Sequence, residues 1–368
     1  MVNVTHLGPE ITLEIIKCLD LNDISTLFET SPLFLQLIDT HRHHLLTSDV
    51  NDLKDGLLGY DSPMCLSALR LRSRQPIEAP STKSEVREAE RVSLHLYRNR
   101  NSKLRLSTTT GFSLVNSTRR LLVEANWVAD SYAPQAWYEM QDFEISKPRT
   151  NTLVLSDDER RRFIKAAIHF EAYCRMFFVQ EKILFQRSTS IRQAFFKASR
   201  EGGVKRGAFY SIAYFVFDQY LTMISNVSAN LSISGPLTQE QSKQRVRWQR
   251  QTRVEMLNFA QFLTSQGLSL IHKLQCMDPS AQTVFMLGRF YKVSQSQDPL
   301  VLMINGIDLH EKGTVETRPW QPWEGIEWVS FRTEADWRKG NFFWDRERAE
   351  SLGGRPWYYI RWTEDEDW

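Results

Sequence analysis

The chain has 368 residues, 42% of them hydrophobic and 12% aromatic, with a formal net charge of +2. That apolar share supports a sizeable core, in one large domain or two smaller ones, and argues against disorder over most of the length. The near-neutral charge gives no global field for nucleic acid or an anionic membrane surface. Four scattered cysteines, Cys18, Cys65, Cys174 and Cys276, contain no CxxC pair, so spacing supports neither a disulfide frame nor a zinc ribbon.

The first unit spans residues 5–47. Pro9 suits the first position of a helix, where its fixed φ and missing N–H do no harm. Ile11, Ile15 and Leu19 then recur at i, i+4 and i+8 as one apolar stripe, widened by Leu13 and Ile16. Asp20 and Asn22 supply turn chemistry, and Ile24, Leu27 and Phe28 make a second short face. Ser31-Pro32 reads as an N-cap with proline at the first helical position, followed by Leu33, Phe34, Leu37 and Ile38. Three short amphipathic helices in so few residues bury too little to stand alone and lean on a partner.

Residues 48–106 form a connecting region, and the polar stretch from Ser73 to Arg91, with Pro76 and Pro80, is its linker candidate. Residues 107–368 make a larger helical domain. Leu121, Ala125, Val128, Ala129 and Tyr132 predict a helix that stops before Pro134. Ser156-Asp-Asp-Glu159 is a capping box, and Phe163, Ala167, Phe170, Cys174 and Phe177 follow at helical spacing. One further helical stretch is expected from Glu240 to Leu274. The tail after Pro319 holds eight of the eleven tryptophans among prolines, glycines and charges, and reads as irregular chain packing rings onto the helical body. The fold class expected is mainly α.

Leu7-Gly8-Pro9-Glu10-Ile11 resembles the opening of the F-box, which runs leucine-proline-x-glutamate and then a hydrophobic pair. Ile15, Ile16 and Leu19 continue that pattern in register. Asp23-Ile24 and Leu27 match its second helix, and Ser31, Phe34 and Leu37 match its valine-serine-x-x-aromatic segment. The departure is Gly8, where the family carries proline; here the proline comes one place later. Two further segments, Glu159 through Cys174 and Gly340-Asn-Phe-Phe-Trp-Asp345-Arg-Glu-Arg348, resemble parts of the large F-box proteins of filamentous fungi. The resemblance implies a non-catalytic substrate receptor of an SCF-type cullin–RING ubiquitin ligase. It would bind a Skp-type adaptor, and through it a cullin, by helix-in-groove anchors. The anchors it implies are Leu7, Pro9, Glu10, Ile11, Ile15, Ile16, Leu19, Ile24 and Leu27; which of them face the adaptor and which the bundle interior is open at this point. The target is not named by any recognised repeat.

Other motifs read more plainly as structure. His41-Arg-His43-His44 has no acidic or cysteine partner at ligand spacing and reads as a solvated cluster ending the third helix. The arginines of Lys243 to Arg253 spread around a helix instead of forming one stripe, so nucleic acid is a minor alternative. Elbow, phosphate-loop, dinucleotide and H-E-x-x-H signatures are missing, so neither a cofactor nor a catalytic role is expected. The longest apolar stretch, Gly207 to Phe217, is too short for a bilayer span, and no secretory leader pattern opens the chain, so the expected compartment is cytoplasmic or nuclear.

Overall fold

The computed structural model describes residues 8–19, 23–24, 27, 32–56, 68–72, 82–98, 112–141, 153–179, 182–185, 191, 195, 206–231, 238–295, 338–345 and 347–348. The chain is mainly α. Among the described residues, the helices whose limits are defined are, in order, α1 Pro9–Lys17, α2 Pro32–Thr40, α3 Arg42–Gly56, α4 Lys83–Arg98, α5 Phe112–Met140, α6 Asp157–Phe177, α7 Arg206–Asn230, α8 Gln239–Gln249, α9 Arg253–Thr264, α10 Leu268–Gln275 and α11 Pro279–Gln295. Between α6 and α7 a minimal antiparallel ladder pairs β1 Phe178–Val179 with β2 Lys182–Ile183.

The body is built on α5 and α6, which pack along each other. α7 lies against α6 and α9, α8 against α11, and α10 against α5. α7 supplies a nearly continuous buried run, including Phe209, Ile212, Phe215, Val216 and Tyr220. It is an interior helix, apolar on most sides because it is covered on most sides. No helix among the described residues is long and apolar enough to cross a membrane.

Four features differ from the expectation. The helix expected to stop before Pro134 runs through it to Met140. Pro134 itself is exposed, while Ala133, Ala136, Trp137 and Met140 on the other side are buried. Proline in a helix interior costs about 3 kcal/mol; here burial of the following turn offsets it. The linker candidate Ser73 to Arg91 is overturned from Lys83 onward by α4. Thr82 and Glu85 cap that helix reciprocally, Thr82 N to Glu85 Oε2 at 3.1 Å and Glu85 N to Thr82 Oγ1 at 3.2 Å. Val86, Ala89, Val92 and Leu94 pack on the core beneath a charged outer face. The single stretch expected from Glu240 to Leu274 is three helices, divided by a capping box at Thr252 and by Gly267 at φ +78°. Lastly, the boundary at residue 47 cuts α3, a helix that follows the third predicted one after a single residue, His41.

The N-terminal helices have their own small core of Ile16, Ile24, Ile38, Leu46, Val50 and Leu53. It is closed by Val115 and Leu122 of α5, and Leu122 also touches the main core. The small unit therefore leans on the body through α3 and α5.

The two segments singled out at Glu159–Cys174 and Gly340–Arg348 meet in space. Phe163 stacks on Phe343 with ring centroids 4.0 Å apart, and Trp344 lies edge-on to Phe163 and to Trp137. The capping-box glutamate, Glu159, has no exposed surface. It accepts from Ser156 N at 3.0 Å, Asp345 N at 3.0 Å and Arg348 Nε at 2.7 Å. Arg162 bonds the Asp345 carboxylate and the Phe343 carbonyl, and Ser156 Oγ donates to Asp345. Gly340, at φ +57°, lets the backbone run against Ala136. The expectation of rings packed on the body holds for residues 342–344; Trp320, Trp323 and Trp357 lie outside the described residues. Phe343→Ala should remove about 3–5 kcal/mol of stability, the usual cost of emptying a buried aromatic site. Chemical denaturation followed by tryptophan fluorescence measures it, and a loss below about 1 kcal/mol would place the segment outside the cooperative core.

Candidate docking surface

α1 begins where Gly8 turns the chain at φ −59°, ψ 152° and Pro9 enters the helix. Glu10 in the first turn and Lys17 in the last both favour the helix dipole. Thr12 Oγ1 donates to the Gly8 carbonyl at 3.1 Å, so the hydroxyl is satisfied although Thr12 is buried. The helix has two unlike faces. Thr12 and Ile16 turn inward, Ile16 with no exposed surface. Ile11 and Ile15, one turn apart, turn outward and are 55% and 39% exposed.

The structure places the anchors implied by the resemblance that fall among the described residues. Pro9, Glu10, Ile11 and Ile15 are exposed. Ile16 and Ile24 are interior residues of the small core, so they hold the bundle and are not available as outward anchors. Leu19 is half-buried against that core, and Leu27 is half-buried in a helical position. Leu7 lies outside the described residues.

Around the outward isoleucines the surface is charged. Glu14 pairs with Lys17 at 2.6 Å, and that hydrogen bond is the main reason the Glu14 carboxyl sits below its ordinary range. A smaller favourable field from His44, in α3, acts in the same direction. The histidine cluster is otherwise solvated. His41 sits at the α2–α3 junction, and the His43 ring contacts Thr47 Oγ1 at 3.1 Å. Among the described residues no three His, Cys, Asp or Glu side chains come together to hold a metal.

The basic segment of α8 is partly committed elsewhere. Arg247 pairs with Glu255 at 2.6 Å and lies over the Phe290 ring, and Trp248 is buried with its indole N–H on Ser228. Lys243, Arg250 and Arg253 are exposed. They lie on α8, its end and the start of α9 without forming a ligand cluster.

Sequence reasoning missed a buried charge cluster in the body. Glu171 on α6, with no exposed surface, accepts from Arg175 Nε at 2.7 Å and from the amide of Leu268, the first residue of α10, at 2.7 Å. Arg72 Nε lies 3.2 Å from the same carboxylate, and Arg72 also bonds Glu124 of α5. Burial acts to raise Glu171, but Arg175, Arg72 and the Leu268 amide hold it below the usual carboxylate range. Burial pushes Glu124 up to about 7, against the pull of Arg72. A side chain on Gly267 would collide with the Glu171 carboxylate. The only signals in the sequence were Glu171 and Arg175 at i, i+4; Arg72 and Glu124 come from distant segments. The cluster ties residues 68–72, α5, α6 and α10 together and is sealed from solvent at Glu171, so it reads as architecture.

No protein-family model, curated protein or solved structure matches the chain. The surface therefore rests on its own geometry.

The inward and outward faces of α1 separate in stability. Ile16→Glu should unfold the N-terminal helices, because it buries a charge without a partner. Ile11→Glu should change stability by no more than about 0.5 kcal/mol. Hydrogen exchange over residues 8–56 reads both, and equal loss in the two variants would contradict the assigned faces.

A second prediction concerns pH. Burial, with Lys165 adding to it, pulls buried His169 down to about 3. It stacks on Phe195 with centroids 4.8 Å apart. The folded state refuses a proton that the unfolded chain accepts. His169 therefore costs nothing above pH ~6.5 and progressively destabilises as the pH falls from there towards 3. His169→Phe removes that cost, so the variant should gain about 3 kcal/mol on wild type between about pH 7 and pH 4.5. Urea midpoints at the two pH values measure this; parallel acid losses in both proteins would assign the sensitivity to carboxylates.

Proposed function

We propose that the chain is the substrate-recognition subunit of an SCF-type cullin–RING ubiquitin ligase, and that the outward face of α1 docks on a Skp-type adaptor. The observation that carries this reading is the division of α1. A small helical unit that needs every apolar group it can bury nevertheless leaves Ile11 and Ile15 at the surface, one turn apart. Exposed apolar residues at helical spacing are the form a helix-in-groove interface takes. The resemblance of residues 7–37 to the F-box supplies the identity of the partner, and the half-buried Leu19 and buried Ile16 and Ile24 supply the interior that holds the face in place. The receptor does no chemistry; it holds a target close to the ubiquitin-loaded enzyme and raises its effective concentration.

The test uses the full chain, a purified Skp-type adaptor and a cullin. Wild type should bind the adaptor and recruit the cullin through it. Ile11→Glu and Ile15→Glu should each weaken adaptor binding about thirtyfold, the scale of an interface hot spot, with the helix content unchanged. Adaptor binding that is indifferent to both substitutions sinks the assigned face. Adaptor bound without cullin recruitment would leave a protein-interaction module working outside a ligase.

A further inference from the structure

The buried charge cluster of the body satisfies its two carboxylates unequally. Glu171 receives three donors: Arg175 Nε at 2.7 Å, the Leu268 amide at 2.7 Å and Arg72 Nε at 3.2 Å. Glu124, buried on α5, is met by Arg72, the same guanidinium that Glu171 uses. Arg175 turns Nη2 to Ser269 Oγ at 3.0 Å and acts on Glu124 through its field. The elements around Glu124 offer little to a second anion. α3 shares an apolar core with α5, and one turn along α5 the ring of His272, from α10, lies edge-on to Trp127 with centroids 6.0 Å apart. On the far side of Glu171 and Arg175 stand the buried Cys174 thiol and Tyr220 hydroxyl. The segment that carries Arg72 seats Ala68, Leu69 and Leu71 in the main core.

We propose that this cluster is a proton-operated joint: Glu124 carries a proton on the acid side of neutrality and gives it up above, loosening the seat of residues 68–72 on α5 and α6. A carboxyl deprived of water and served by a shared donor is more easily kept neutral than ionised. Burial is the largest influence on Glu124, and with Glu171 it outweighs the pull of Arg72 and Arg175, so the proton is held up to about pH 7. Glu171, with three donors, stays ionised. The sign follows from the unfolded chain, where a glutamate gives up its proton near about pH 4.3. The folded state binds the proton more tightly, so this contribution to stability is full at low pH and is lost as the pH rises from about 4.5 to about 7. Above neutrality the joint holds a second buried negative charge, and opening to water relieves it.

The full chain, isotope-labelled at its glutamate carboxyl carbons, is titrated by NMR. One carboxyl signal should titrate with a midpoint near about 7, well apart from ordinary glutamates, and should be missing from the spectrum of Glu124→Gln. The glutamine copies the protonated side chain, so the variant keeps the fold. Urea denaturation of both chains at about pH 5 and about pH 8 reads the linkage. Between those two values the folding equilibrium constant of wild type should fall about seventyfold further than that of the variant. His169 is present in both chains and drops out of the comparison. Hydrogen exchange locates the effect: the amides of residues 68–72 should be less protected in wild type than in the variant at the higher pH, and equally protected at the lower. A Glu124 midpoint below about pH 5, a neutral-range signal that survives the substitution, or parallel stability losses in the two chains would each overturn the proposal.

Discussion

A carboxylate taken out of water must be met by donors, and α6 carries two of them. Glu159 and Glu171 both have no exposed surface. Each is satisfied by groups that arrive from elsewhere in the chain, because α6 alone cannot supply enough donors. Glu159 draws in Asp345 and Arg348 from the far end; Glu171 draws in Arg72 from the N-terminal side and the first amide of α10. The arrangement of the body follows from those two requirements. The ring stack of Phe163, Phe343 and Trp344 sits beside the first, and the close approach at Gly267 sits beside the second. Removing either carboxylate's partners leaves a buried charge, a penalty of about 3–5 kcal/mol.

The N-terminal unit follows a different logic. Its small core contains few large side chains and borrows Val115 and Leu122 from α5 to close. That borrowing lets α1 commit only one face, Thr12 and Ile16, to the interior, leaving Ile11 and Ile15 free. The face we propose for docking and the face that stabilises the bundle are thus opposite sides of the same nine-residue helix. A substitution on the outward side would test the proposal, and one on the inward side the folding.

Much of the local structure was legible in the sequence, because capping and periodicity act over a few residues. Pro9 and Pro32 start helices, Ser156 and Glu159 form their box, and the stripe after Phe163 is buried. What sequence reasoning lost depends on packing at a distance. Pro134 is a helix breaker by its own chemistry, and only the burial of Ala136, Trp137 and Met140 explains why α5 continues. The charged stretch from Lys83 to Arg91 reads as the end of a linker until the narrow apolar side of α4 finds the body. At the proposed docking surface, the pattern of isoleucines was visible, but the division of Ile11 and Ile15 from Ile16 and Ile24 was not. Adjacent apolar positions on a helix look equivalent until a neighbouring element covers one side.

The union of Glu159 with Asp345 has a consequence in time. The two residues are 186 positions apart. At roughly 5–20 residues per second, the ribosome needs about ten to forty seconds to make the intervening chain. For most of that interval α6 is complete while the Phe163 and Trp137 surfaces still await Phe343 and Trp344. Until residues 343 and 344 have been made, the Phe163 and Trp137 surfaces lack the rings that cover them, and uncovered aromatic surface of that kind is what chaperones hold.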